Sequence, residues 1–190
     1  MKKIMLAAIA AMTVAVAGPS VGTYQAPSVV DSGPYVGIGY GFGTTSVSVD
    51  GFGSNSLVGT TDSDNVFIQA GYNFNSFVAV EGRYGYGVEN GFDNTSVDTF
   101  ALYAKPQFPV TSELNVYGLL GYAWSTSYCD TCFDTDFDGL AYGLGASYEV
   151  TPKVEVFVDY TNVYQDTVAI GYADVDQDLY SVNVGVTYAW

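Results

Sequence analysis

Histidine is absent from this 190-residue sequence, and cations are nearly so: five Lys and Arg stand against twenty Asp and Glu, a formal charge of −15. Each scarcity excludes something. Without imidazole, Ser-His chemistry is impossible, and the side chain best matched to base work near neutral pH is missing. A carboxylate pair remains available for acid and base roles. The acids, however, fall in surface loops or at isolated strand positions that imply no substrate cleft, so no enzyme is expected. The lack of a basic footprint argues against nucleic acid and against docking onto anionic lipid through a polybasic patch. Only two cysteines occur, too few for a disulfide scaffold. No apolar run is long enough for a spanning helix, and no helical apolar stripe of useful length is present.

The N-terminus sets the compartment. Lys2 and Lys3 precede an almost wholly apolar stretch from Ile4 to Ala17, which closes on Ala15-Val16-Ala17. A short positive region, a short apolar core and a small-x-small end make a secretory signal peptide. Cleavage after Ala17 is expected. Residues 18–33 show no pattern and read as a periplasmic tail, leaving 34–190 as one domain.

What fills that domain is alternation. Tyr180, Val182, Val184, Val186, Tyr188 and Trp190 interleave with Ser181, Asn183, Gly185, Thr187 and Ala189. Period two marks the two faces of a strand. One face is aliphatic in the middle and aromatic at both ends, as a bilayer demands, with rings at headgroup level and hydrocarbon between. Seven further segments repeat the pattern: 35–45, 66–74, 77–88, 99–108, 114–125, 141–149 and 154–164. In each the even-numbered residues form the apolar face. Leu114–Ser125 is the least regular, because Leu119 and Leu120 fall on opposite faces. The other face is small, polar and glycine-rich, the reverse of a soluble barrel. Lipid is therefore the outer solvent, and closure follows because no open edge can leave backbone groups unpaired in hydrocarbon. The expected fold is all-β: a closed antiparallel eight-stranded transmembrane β-barrel, an up-and-down meander with a lumen largely filled by side chains. Pro106 cannot donate to a ladder and is expected at the very end of its strand. Connections alternate between short (73–76, 109–113, 150–153) and long (46–65, 89–98, 126–138, 165–178). Short turns belong on the periplasmic side and long loops outside, which puts both termini in the periplasm.

Three stretches resemble a known family. Gly71–Glu81 (GYNFNSFVAVE), Leu102–Trp124 (LYAKPQFPVTSELNVYGLLGYAW) and Gly145–Lys153 (GASYEVTPK) followed by Val158–Tyr160 (VDY) are similar to strand-and-turn segments of the OmpA/OmpX-like outer membrane β-barrel family. The resemblance covers most of residues 35–190. It implies an outer-membrane location in a Gram-negative-type bacterium, and roles that range over structural proteins, adhesins, surface protection and small channels. The family's fuller members add a peptidoglycan-binding domain, which the chain is not expected to carry. In the resembled lumen two carboxylates and two cations form a gate. Glu81 and Lys105 match one of each, while the other two positions fall on Phe157 and Ser147. The final strand, with Tyr188 and Trp190, resembles the C-terminal signal read by the outer-membrane assembly machinery.

Several residues carry specific expectations. Glu81 and Lys105 both point inward at similar depth, so a contact is expected between them, with Arg83 nearby and Glu149, Glu155 and Asp159 as further partners. Tyr103, Tyr117 and Phe157 are expected to block the same lumen. Cys129 and Cys132 are expected to form a structural disulfide in an oxidising compartment. A redox motif would need a helix, which nothing here predicts, and zinc would need more ligands. Asp134, Asp136 and Asp138 copy the first half of a calcium loop, but the completing Glu falls at Gly145; a weak divalent-cation site is the most this supports. The long loops hold fourteen acids, among them Asp50, Asp62, Asp64, Asp98 and Asp178, with no Lys or Arg. They suit loose divalent binding shared with lipopolysaccharide phosphates. No cofactor is expected. The expected partners are lipid, lipopolysaccharide and the assembly machinery, and the expected state is a monomer. Two functions are open: a non-enzymatic barrel serving envelope integrity or surface interaction through acidic extracellular loops, and a narrow channel for small solutes or cations.

Overall fold

The computed structural model of the protein describes residues 32–51, 54–62, 64–88, 95–129, 135–170 and 173–190. Within these, side chains are described for 32–44, 64–88, 98–126, 138–163 and 179–190. The signal peptide and nearly all of the N-terminal tail lie outside the described residues.

Among the described residues, alternating β-branched, aromatic and small residues build nine hydrogen-bonded strands: β1 Gly33–Gly51, β2 Ser54–Asp62, β3 Asn65–Asn75, β4 Val78–Gly87, β5 Thr95–Pro109, β6 Leu114–Cys129, β7 Thr135–Thr151, β8 Val154–Ile170 and β9 Ala173–Ala189. They make eight staves. β3 pairs with the lower half of β1 (Gly33↔Asn73 to Gly41↔Asn65), and β2 pairs with its upper half (Thr44↔Asp62 to Gly51↔Ser54). The remaining strands follow in chain order, every neighbour antiparallel, and β9 closes on β1 from Tyr35↔Ala189 to Asp50↔Asp174.

The parity rule holds round the barrel wall where side chains are described. Along the uninterrupted ladders, paired residues share parity, as in Glu81↔Tyr103, Tyr117↔Gly145 and Asp159↔Asn183. One parity therefore faces one side all the way round. Even-numbered Ile38, Ile68, Leu102, Leu120, Leu144 (72% exposed) and Val184 look outward, and odd-numbered Phe67, Tyr103, Tyr117 and Phe157 look inward. Leu119 obeys the rule as well: it is buried, and Leu120 is exposed. A continuous apolar belt of this size on a closed sheet belongs in lipid rather than water.

Local chemistry makes the short turns. The Asn75 side chain accepts hydrogen bonds from the backbone N–H of Phe77 and Val78, at 2.8 and 3.0 Å. Thr111 does the same for Glu113 and Leu114. Both are side-chain turns that replace backbone partners at a chain reversal.

Two expectations need correction. Much of the chain expected as long loops is strand. β1, β5, β6, β7, β8 and β9 run 15 to 19 residues, whereas about 9–11 residues cross a bilayer. The ladders continue past the membrane because each added residue pair still satisfies its backbone. Pro106 does not end its strand either, since β5 continues to Pro109. The β5–β6 register passes from Ala104↔Leu120 to Gln107↔Tyr117, so Lys105 and Pro106 have no paired residue in β6. A missing donor costs no ladder bond at such a gap.

Candidate functional site

The inner face of the barrel concentrates its charge at one level. β4 carries Glu81 and Arg83 two residues apart, and β5 beside it carries Lys105. β8 stands four staves from β4, on the opposite wall, and carries Asp159. Glu81 is fully buried. Its Oε2 accepts from Lys105 Nζ at 2.8 Å and from the Tyr35 hydroxyl at 2.6 Å, and its Oε1 accepts from Arg83 Nε at 2.7 Å. Arg83 then spans the lumen, donating Nη1 and Nη2 to the two Asp159 oxygens at 3.0 and 2.6 Å. Asp159 also accepts from the Tyr117 hydroxyl at 2.9 Å and from Asn183 Nδ2 at 2.7 Å, and Asn183 reaches Thr161 and Ser181. Both cations also lie against aromatic rings. The Arg83 guanidinium is 5.2 Å from the centroid of Phe67 and 5.7 Å from those of Tyr103 and Phe157, and Lys105 Nζ is 4.3 Å from that of Tyr117.

Two carboxylates and two cations balance, and every charged end has at least one charged partner. That is the condition under which buried charge is tolerable. The packing around them is tight. A Cβ on Gly145 would meet the Tyr117 ring at 2.6 Å, and one on Gly71 would run into the Tyr35 ring. Glycine lets each ring lie flat over the neighbouring strand, where Tyr117 pairs with Gly145 and Tyr35 with Gly71. Toward the short-turn end, a cavity of about 20 Å³ is lined by Tyr35, Asn73, Lys105, Gln107, Glu155 and Thr187. It has room for a water or two. Among the described residues no group of His, Cys, Asp and Glu is placed to hold a metal.

The geometry unites Glu81, Arg83, Lys105 and Asp159 but leaves out two expected members. Glu149 and Glu155 face each other in the β7–β8 ladder, nearer the turn and partly exposed. No ion pair joins either to a cation among the described residues. The resemblance placed the other two gate positions on Phe157 and Ser147. Here Arg83 and Asp159 supply the second cation and carboxylate, while Phe157 and Ser147 are buried neutral packing. Sequence reasoning missed Tyr35, Thr161, Ser181 and Asn183 as members of the network. Their odd numbers were the available signal.

A closed eight-stave meander, apolar outside and polar within, matches one family model. The outer membrane protein beta-barrel domain matches residues 5–188. The chain belongs to this outer membrane barrel family. No curated protein sequence matches it. Solved structures do match. Neisserial surface protein A is 18% identical, with 86% of this chain and 99% of that one covered and a TM-score of 0.58. The N-terminal β-barrel domain of Pseudomonas aeruginosa OprF is 16% identical, with coverage of 84% and 100% and a TM-score of 0.56. The Escherichia coli outer membrane protease OmpT is 9% identical, with coverage of 90% and 100% and a TM-score of 0.51. At these identities the likeness establishes fold alone.

The remaining expected sites of this outer membrane barrel lie at its ends. Cys129 closes β6 and its side chain is not described, and Cys132 lies outside the described residues, as does Asp134. Asp136 is a strand residue of β7 paired with Thr126. Asp138 is exposed and accepts a hydrogen bond from the Tyr122 hydroxyl. Tyr188 and Trp190 stand outward at the short-turn end, with ring centroids 5.6 Å apart.

Proposed function

We propose that this chain is a non-enzymatic outer membrane barrel that serves envelope integrity or surface interaction through its acidic extracellular loops, rather than an open pore. One observation carries the choice: the Glu81–Lys105–Arg83–Asp159 cluster and the rings of Tyr35, Tyr103, Tyr117 and Phe157 occupy the lumen from wall to wall. The lack of histidine supports a non-enzymatic role beside a fold that also hosts a protease. In this reading both termini lie in the periplasm, and lipopolysaccharide phosphates meet the loop acids through shared divalent cations. The chain acts as a monomer after delivery by the assembly machinery. Planar-bilayer recording tests the choice. Wild-type protein is expected to give no steady unit conductance, and Lys105→Ala to behave alike if the rings alone fill the bore. Stable wild-type steps would overturn the reading in favour of a narrow channel. Steps only in Lys105→Ala would assign the closure to the ion pair.

A further inference from the structure

Acidic residues expected as loose loop charges turn out to form a repeated unit on the outer wall. The Tyr40 hydroxyl donates to Asp64 at 3.0 Å, and the Tyr84 hydroxyl to Asp98 at 3.0 Å; Tyr122 donates to Asp138. The cross-strand geometry is the same each time. The tyrosine sits on the first strand of a hairpin that opens toward the long connections. The aspartate sits on the returning strand, two residues past the tyrosine's own partner: Tyr84↔Phe100 with Tyr86↔Asp98, and Tyr122↔Leu140 with Trp124↔Asp138. Asp64 lies two residues before Val66, the partner of Tyr40, immediately ahead of β3. All six residues are even-numbered and so belong to the outward face. The registers between hairpins carry the units round the barrel at nearly one level.

The fourth hairpin breaks the repeat. Tyr160 pairs with Val182, and the next outward pair is Asn162↔Tyr180. Tyr180 stands where the other three hairpins have aspartate. Asn162 replaces the aromatic of Phe42, Tyr86 and Trp124, and its Oδ1 is buried without a partner among the described residues.

We propose that the three Tyr–Asp units are depth stops that fix where outer-leaflet hydrocarbon ends on the β1–β7 side, and that hydrocarbon reaches one row higher along β8–β9. The partner is the outer-leaflet lipid itself. The inference rests on the outer-membrane location that family membership gives. A tyrosine ring is at home at the headgroup boundary, whereas an ionised carboxylate facing outward is excluded from hydrocarbon. Binding the two together prevents the ring from sinking without dragging the charge after it. Where Tyr180 replaces the acid, that row carries no carboxylate, and the barrel leans toward that hairpin.

The two tryptophans make this measurable, because Trp124 faces Asp138 directly and Trp190 lies at the other end. In a Trp190→Phe background, Trp124 fluorescence is read in phosphatidylcholine vesicles with bromines placed at different depths along the acyl chains. With the acids intact, shallow bromines are expected to quench most. In the triple variant Asp64→Leu, Asp98→Leu and Asp138→Leu, the deep-to-shallow quenching ratio should rise about twofold or more. A second probe leaves all three acids in place: Asn162→Trp with Trp124→Phe and Trp190→Phe should report a deeper position than Trp124. Heat-dependent gel mobility verifies folding of each variant. An unchanged ratio in the folded triple variant overturns the stop, and equal depth for the two probes overturns the lean.

Discussion

Replacing Glu81 with glutamine should reveal how the lumen's charges depend on one another. The substitution keeps the shape of the side chain and removes one negative charge from a site with no solvent exposure. Arg83 would keep both oxygens of Asp159. Lys105 would not be so provided for: its only other hydrogen bond among the described residues is to the Tyr35 hydroxyl at 3.5 Å, beside the rings of Tyr117 and Tyr35. Breaking a buried pair by removing one partner costs about 3–5 kcal/mol. The water-sized cavity next to Lys105 and its ring contacts place Glu81→Gln at the lower end of that range. Lys105→Met is the informative comparison. Glu81 would still accept from Arg83 and Tyr35, so this loss should resemble a charged hydrogen bond, about 1.5–3 kcal/mol. The double variant should cost less than the two singles together, with a coupling of about 0.5–3 kcal/mol. Urea titration of protein refolded in lipid vesicles, followed by tryptophan fluorescence, measures all three. Additive losses of under 1 kcal/mol each would refute the claim that these charges hold one another.

Other outcomes follow from the same geometry. Val184→Arg at the middle of the lipid belt should destabilise the barrel by about 2–4 kcal/mol in that titration, and Trp124→Arg near the rim by about 0–1. Gly145→Ala should cost about 1–3 kcal/mol, because the Tyr117 ring and Asp159 must both move. Gly82→Ala has no neighbour nearer than 3.9 Å and should be neutral or stabilising, so equal losses at the two glycines would contradict the packing. Unreduced exported protein is expected to take up no alkyl label at Cys129 and Cys132 by mass spectrometry, and to keep its barrel after reduction; two adducts without reductant would rule the bridge out.

Which side each residue faces was legible in the sequence, because parity survives every uninterrupted ladder. Glu81 and Lys105 were legible as a pair because they sit on consecutive strands, one soon after a short turn and the other just before the next. The bond from Arg83 to Asp159 was not, since a contact across the lumen depends on the stagger of all eight staves, which no local pattern encodes. The strands' true length was hidden for a different reason. Beyond the membrane no lipid selects an apolar face, so alternation fades while backbone pairing continues. Asp98 and Asp138, read as loop charges on that account, stand in β5 and β7.

The bond across the lumen also bears on shape. A tube of eight thin staves resists stretching along its hydrogen-bonded hoops, yet it ovals easily because each hoop can flex between strands. Arg83 and Asp159, fixed to opposite walls, act as a tie rod across that section, and the aromatic rings on either side act as spacers. Tension and compression members at one height hold the cross-section round there, while the wall above and below is free to flex with the membrane.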